Sequence, residues 1–177
     1  MFVIVGANGY LGSYILKILG ENTKETVIAT ARDISRVAFK ENVIWVQCDI
    51  RSDKSVDELL SMLSQYKNVK MVYLAAYHHP DEVERNRSMA WDINVTSLSK
   101  FINKATFISQ IYYSSTDSVY GNSYGSYHFK ENDILNPVNF YGHNKCAAEA
   151  IIVHSGRNVV RFPFLISPSL IYKKHFY

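Results

Sequence analysis

The sequence predicts a doubly wound α/β domain built on a parallel sheet, and three observations lead there. Short runs of β-branched and aromatic residues alternate with segments of helical period. The runs are rich in apolar residues rather than strictly alternating, as strands covered on both faces are, and a glycine-rich turn follows the first of them. At 177 residues, 47% hydrophobic and 20% charged, the chain can bury one sizeable core but is too short for two full domains.

In chain order, Phe2 to Val5, Thr26 to Ala29, Val43 to Val46, Lys70 to Leu74, Ile108 to Tyr113 and Asn158 to Phe162 read as buried strands. The first intervening segment puts Leu11, Tyr14, Ile15, Ile18 and Leu19 on one helical stripe. The third does the same with Val56, Leu59, Leu60 and Leu63, after Ser52 and Asp53 as candidate N-caps. A longer stretch from about Asp81 to Ala105 carries Trp91, Val95, Leu98 and Ile102 at helical spacing, and Tyr141 to His154 carries Ala147, Ala148, Ile151 and Ile152. The expected order is βαβαβαβαβαβ, with the ligand site at the carboxyl ends of the strands. Gly121 to Phe140, rich in Tyr, Gly, Asn, Ser and His without a period, is expected to be a long loop.

Composition excludes several classes. With 4 Pro and 8 Gly the chain is neither collagen-like nor broadly disordered. A net charge of +3, spread along the chain, does not point to nucleic acid. Cys48 and Cys146 form neither a metal-ligand pair nor a disulfide framework; a lone disulfide stays open on spacing, and a reducing cytoplasm is the simplest reading. The apolar runs break well short of the roughly 20 residues a membrane span needs, and the N-terminus has no basic region.

Three motifs carry chemistry. Gly6-Ala7-Asn8-Gly9-Tyr10-Leu11-Gly12 leaves the first strand and opens the first helix, the context a dinucleotide fingerprint requires. Gly6 permits the tight turn, Gly9 lets backbone approach a pyrophosphate at the helix N-terminus, and Gly12 allows close helix-strand packing. After the second strand, Arg32 stands where such a fold reads the adenosine ribose; a guanidinium there favours NADP, while Asp33 beside it keeps NAD open. Tyr141 and Lys145 are spaced i, i+4, so an ammonium can sit beside a phenol and lower its pKa toward working pH, making Tyr141 a general acid or base. Tyr112 to Gly121 is a hydroxyl-rich turn leaving the carboxyl end of the fifth strand, in which hydroxyls can hold a substrate oxygen near Tyr141 and Asp117 can move a proton. His78-His79-Pro80 has no third ligand at metal spacing, so no metal is expected.

Together with Asp49-Ile50, Leu74-Ala75-Ala76, Asn94 and Asn136-Pro137, these motifs resemble the extended short-chain dehydrogenases, the NAD(P)-dependent sugar-nucleotide epimerases, dehydratases and reductases. The resemblance spans essentially the whole chain in order. It implies a Rossmann domain over 1–165, followed by a short tail over 166–177. It implies that Gly9, Tyr10 and Leu11 face the pyrophosphate, that Asp49 and Ile50 flank the adenine, and that Ala75, Ala76 and Ser114 line the nicotinamide half. Lys145 would also bind the nicotinamide ribose, and Tyr141 and Thr116 would contact the sugar hydroxyl or ketone that exchanges hydride. The branch is open. Ser115-Thr116-Asp117 looks like the 4,6-dehydratases and the dTDP-dehydrorhamnose reductases, but Ser118 stands where the former have Glu and the latter Tyr, and Val119-Tyr120-Gly121 looks more like the epimerases.

The expected partner is thus a nucleotide-activated sugar. Members of the resembled family carry a further C-terminal region, so two other readings stand beside it: a cofactor-binding module without catalysis, with an exposed apolar surface through which it pairs as a homodimer, and a reductase of small carbonyl compounds.

Overall fold

Strand β1 (Phe2–Val5) forms the centre of the sheet because every one of its residues is apolar and three of the four are buried. In the computed structural model, which describes residues 1–35, 37, 41–123, 125–163 and 165, it is flanked by β2 (Val27–Ala31) and β4 (Lys70–Tyr73). The six parallel strands run in the order β3-β2-β1-β4-β5-β6, with β3 at Val43–Gln47, β5 at Gln110–Thr116 and β6 at Asn158–Phe162. The order reverses direction at β1 and β4, which opens a crevice at their carboxyl ends. The expected tail over 166–177, with Lys173, Lys174 and His175, lies outside the described residues.

The two sheet faces are covered unequally. Helix α1 (Tyr10–Asn22) packs Leu16 against Ile4, Val27, Ala29 and Val43 on one face. On the other face α2 (Asp53–Leu63) buries all four expected residues, Val56, Leu59, Leu60 and Leu63, each contributing about 1.5–3 kcal/mol relative to exposure. Ser52 caps α2, its side chain accepting from the Ser55 amide. α5 (Leu98–Lys104) and α6 (Phe140–His154) complete that layer through Leu98, Phe101, Ile102, Ala148 and Ile152.

The structure corrects four expectations. Ile18 is 57% exposed, and the buried positions of α1 are Gly12 and Leu16, so the stripe is rotated from the one expected. Between β2 and β3 the described residues contain no helix; there the Asp33 carboxylate accepts the Ser35 amide, a local turn that competes with helix formation. β5 runs on through Ser114, Ser115 and Thr116, which were expected in a turn; the turn is the short 3₁₀ segment Asp117–Val119 that follows.

The single helix expected from Asp81 to Ala105 is instead four pieces: α3 (Pro80–Arg85), α4 (Arg87–Trp91), a π-helical turn (Asp92–Ser97) and α5. The wider turn shifts the helical phase, so Val95, Leu98 and Ile102 are buried while Trp91 is 41% exposed. Buried Asn94 lies within that turn. Its Oδ1 accepts from the Tyr77 amide at 2.7 Å and its Nδ2 donates to the Tyr77 carbonyl at 2.9 Å, so one side chain pairs both backbone groups just beyond β4. Replacing Asn94 by Ala leaves both groups unpaired, and urea unfolding should show a loss of about 2–4 kcal/mol. Gly12→Ala would put a β-carbon 2.7 Å from the Ala7 carbonyl oxygen, and the same assay should show a loss of about 1–3 kcal/mol.

Candidate functional site

The turn from β1 into α1 is shaped by two close approaches. Gly6 has φ +86°, and a β-carbon there would lie 2.8 Å from the Ala75 nitrogen, so the turn is pressed onto the end of β4. Gly12 lies against the Ala7 backbone. Gly9 is different: it is the N-cap of α1 in an extended conformation, and a β-carbon there would meet only the Gly6 carbonyl oxygen at 3.5 Å. Its bare backbone therefore leaves open space above the helix N-terminus. No side chain caps α1 and no acidic residue stands in its first turn, where Tyr10 and Leu11 are half-buried. This is a cradle suited to an anionic ligand such as a pyrophosphate.

The expected adenosine residues lie at the ends of β2 and β3. Arg32 is exposed directly after β2, and its charge, after that of Arg51, helps hold the Asp49 carboxyl below its ordinary range. Asp49 is already engaged: Arg51 grips it, with Nε 3.0 Å from Oδ1, and is the main cause of its lowered pKa. Ile50 is buried beside it. Ala75 and Ala76 follow β4, half-buried, after Leu74 extends the pairing with β1 by donating to the Val5 carbonyl.

Helix α6 brings Tyr141 and Lys145 to the end of β5. Lys145 is 3% exposed, and its Nζ donates to the Tyr113 hydroxyl at 3.0 Å and to the Ser114 carbonyl at 2.8 Å, 5.8 Å from the centre of the Tyr141 ring. Burial pushes the Lys145 pKa down to about 7, partly opposed by the charge of Glu149 one turn along the helix. Tyr141 moves the opposite way from the sequence expectation. Burial, with Asp117 adding to it, pushes its phenol up to about 12. The lysine is turned into the protein rather than onto the phenol, so it does not stabilise a phenolate in this arrangement. The Thr116 hydroxyl, at the end of β5, lies 3.1 Å from the Asp117 carboxylate and 3.2 Å from the Ser118 hydroxyl, and accepts from the Ser118 amide.

Several supporting residues escaped the sequence reading. Asn139 caps α6 by accepting from the Gly142 amide at 2.8 Å, and an asparagine directly before the helix was the available signal. The Glu84 carboxylate accepts from the Phe140 amide at 2.7 Å, tying α3 to the turn of α6 that holds Tyr141; nothing local reveals a partner so distant in sequence. A β-carbon on Gly142 would lie 2.7 Å from the Ser118 carbonyl oxygen, so the glycine lets α6 dock on the turn after β5. Arg161 of β6 pairs with buried Glu149 through Nε and Nη2, and its Nη1 donates to the Tyr120 hydroxyl and the Glu131 carbonyl, each at 2.7 Å. The Tyr120 ring stacks on Phe129 at 4.9 Å, and the Tyr127 hydroxyl donates to Asp133, so these aromatics brace the loop itself. Cys48 and Cys146 are free thiols, both pushed up by burial. Among the described residues no helix is long and apolar enough to cross a membrane.

Comparison with known proteins agrees with this architecture. The chain is 30% identical over 152 residues to the dTDP-4-dehydrorhamnose reductase of Aggregatibacter actinomycetemcomitans, covering 85% of this chain and 46% of that protein. It is 28% identical over 165 residues to the methionine adenosyltransferase 2 subunit beta of Danio rerio, covering 92% and 47% respectively. Among solved structures, the UDP-glucose 4-epimerase of Brucella ovis in complex with NAD superposes with a TM-score of 0.75 at 20% identity, over 92% of this chain and 50% of that one. The chain thus spans about half the length of the curated relatives it matches. The model of the RmlD substrate binding domain matches residues 1–176, so the chain belongs to that family, within the short-chain dehydrogenase/reductase superfamily its motifs resemble.

Proposed function

We propose that this chain binds a nicotinamide dinucleotide across the carboxyl ends of β1, β2 and β4 and acts on the carbonyl or hydroxyl group of a nucleotide-activated sugar. The observation that carries this reading is that a glycine cradle without a side-chain cap and the Tyr141–Lys145–Thr116 constellation both lie at the carboxyl end of the sheet, on strands separated by β4 alone. Gly6, Gly9, Tyr10, Leu11 and Gly12 would hold the pyrophosphate, Arg32, Asp49 and Ile50 the adenosine, and Ala75, Ala76, Ser114 and Lys145 the nicotinamide half. When bound, the dinucleotide supplies or accepts the hydride. The reductase and the NAD-bound epimerase among its relatives support this class of chemistry.

The resting protonation state matches the start of a reduction. A phenol pushed up to about 12 rests protonated at neutral pH, so the proton a reduction needs as carbonyl oxygen becomes hydroxyl is already on Tyr141. The adjacent Asp117 charge opposes phenolate, and Thr116 offers a hydroxyl to orient the same oxygen. A phenolate forms at Tyr141 in either direction, after donation in a reduction and before abstraction in an oxidation, and a charged Lys145 turned toward it would stabilise it in both.

A second reading, a dinucleotide-binding subunit without turnover, is favoured by the relative named as the beta subunit of a methionine adenosyltransferase. Fluorescence titration with NADPH and NADH tests what both readings share: micromolar or tighter binding is expected, and Arg32→Ala should weaken NADPH about tenfold while leaving NADH nearly unchanged. Absence of binding to folded protein would overturn both. Turnover of a nucleotide-linked ketosugar with NADPH by the unsubstituted chain separates them, and Tyr141→Phe then tests the first. The substitution should abolish NADPH-dependent reduction of a nucleotide-linked ketosugar by at least about 100-fold with cofactor affinity retained. Turnover that survives the substitution would remove Tyr141 from the chemistry.

A further inference from the structure

We propose that Tyr113 is the positioning residue for Lys145, holding its ammonium or amine between β5 and α6 from beneath the site. The inference rests on the reading of Lys145 as a site residue.

Strand alternation turns Ile111, Tyr113 and Ser115 to the helix-covered face, where the first two belong to the main core. A position of that kind is filled at least cost by an aliphatic residue or Phe, because a buried hydroxyl must find a partner. The Tyr113 hydroxyl has one: Lys145 Nζ, 3.0 Å away, with the ammonium also 4.6 Å from the centre of the Tyr113 ring. Neighbouring Tyr73 on β4, whose ring lies 6.1 Å from that of Tyr113, is equally buried, but its hydroxyl has no partner. Of the two core tyrosines, one is therefore engaged with the site and the other is not.

A hydroxyl suits this task better than any other uncharged group. It accepts from a lysine ammonium and can turn to donate to a neutral lysine amine, so Nζ keeps a partner in either protonation state. Burial holds the Tyr113 proton in place well above the ordinary range, so the phenol does not itself become an ion. The groups around Lys145 are Tyr113 from β5, Tyr141 and Glu149 from α6, Tyr73 behind Tyr113 on β4, and Asp117 acting on Tyr141 from the turn; Glu149 is in turn paired with Arg161. Of these, Tyr113 makes the direct side-chain hydrogen bond to Nζ.

The sign follows from which form gains more. A hydrogen bond to an ammonium is charge-assisted and stronger than one to an amine, so removing the hydroxyl favours the amine. The test is an NMR titration of the Lys145 Nζ and Cε resonances in ligand-free protein, which makes its outcome independent of whether a dinucleotide binds. In Tyr113→Phe, which keeps the ring, the midpoint should fall by about one pH unit, whereas Tyr73→Phe should leave it unmoved. An unchanged midpoint in folded Tyr113→Phe, or equal shifts in both variants, overturns the proposal. Wild-type protein provides the independent check if Tyr113→Phe does not fold. Slowly exchanging Lys145 Nζ protons with a cross-relaxation peak to the Tyr113 ring are expected, and Nζ protons exchanging as fast as those of exposed Lys54 overturn it.

Discussion

Where β1 ends, its backbone passes so close to that of β4 that no side chain fits between them. A β-carbon on Gly6 would fall within 2.8 Å of the Ala75 nitrogen, and one turn later Gly12 presses α1 onto Ala7 with the same tightness. The rest of the site depends on these two contacts. They set how far β1, β4 and α1 separate at their carboxyl and amino ends, and hence the width of the crevice created by the reversal of strand order. Between them Gly9, the N-cap of α1, carries no side chain that would occupy the anion position.

The second half of the site is hung on α6, and its support comes from all around the fold. Glu84 of α3 and Asn139 hold the first turn, Gly142 lets that turn settle on Ser118, Tyr113 and Ser114 of β5 hold Lys145, and Arg161 of β6 holds Glu149. This support fixes the chemistry as well as the position. Because the lysine is drawn inward, burial governs both ionisable groups, and the phenol and the amine are each pushed toward neutrality. The resting site holds a protonated phenol beside a lysine that loses its charge near neutral pH.

Much of this was legible in the sequence because it is local. The six apolar runs gave the strands in order, Ser52 announced α2, and the glycine spacing located the cradle. What was not legible depended on contacts between distant segments. Asn94 reaches back 17 residues to Tyr77, and the π turn around it displaced Trp91 from the stripe that a continuous helix would have buried. The spacing of Tyr141 and Lys145 was read correctly as a shared helical face, but the direction of the phenol pKa depended on burial and on where the lysine tip points, which spacing does not encode. Glu84 and Arg161 carry no local mark at all.

Arg161 ties the loop after β5 to the last strand of the sheet. Among the described residues the loop from Gly121 to Asn139 has no helix or strand, and its carbonyl at Glu131 and the Tyr120–Phe129 stack at its base are gathered by one guanidinium. That guanidinium belongs to the sixth strand, which pairs only with β5 at the edge of the sheet. The anchorage of that loop therefore depends on the pairing of β6 with β5, whereas the cradle at β1 and α1 does not draw on it. Amide exchange across the molecule should be graded in the same sense, with protection in the loop tracking the opening of β6 rather than that of the central strands.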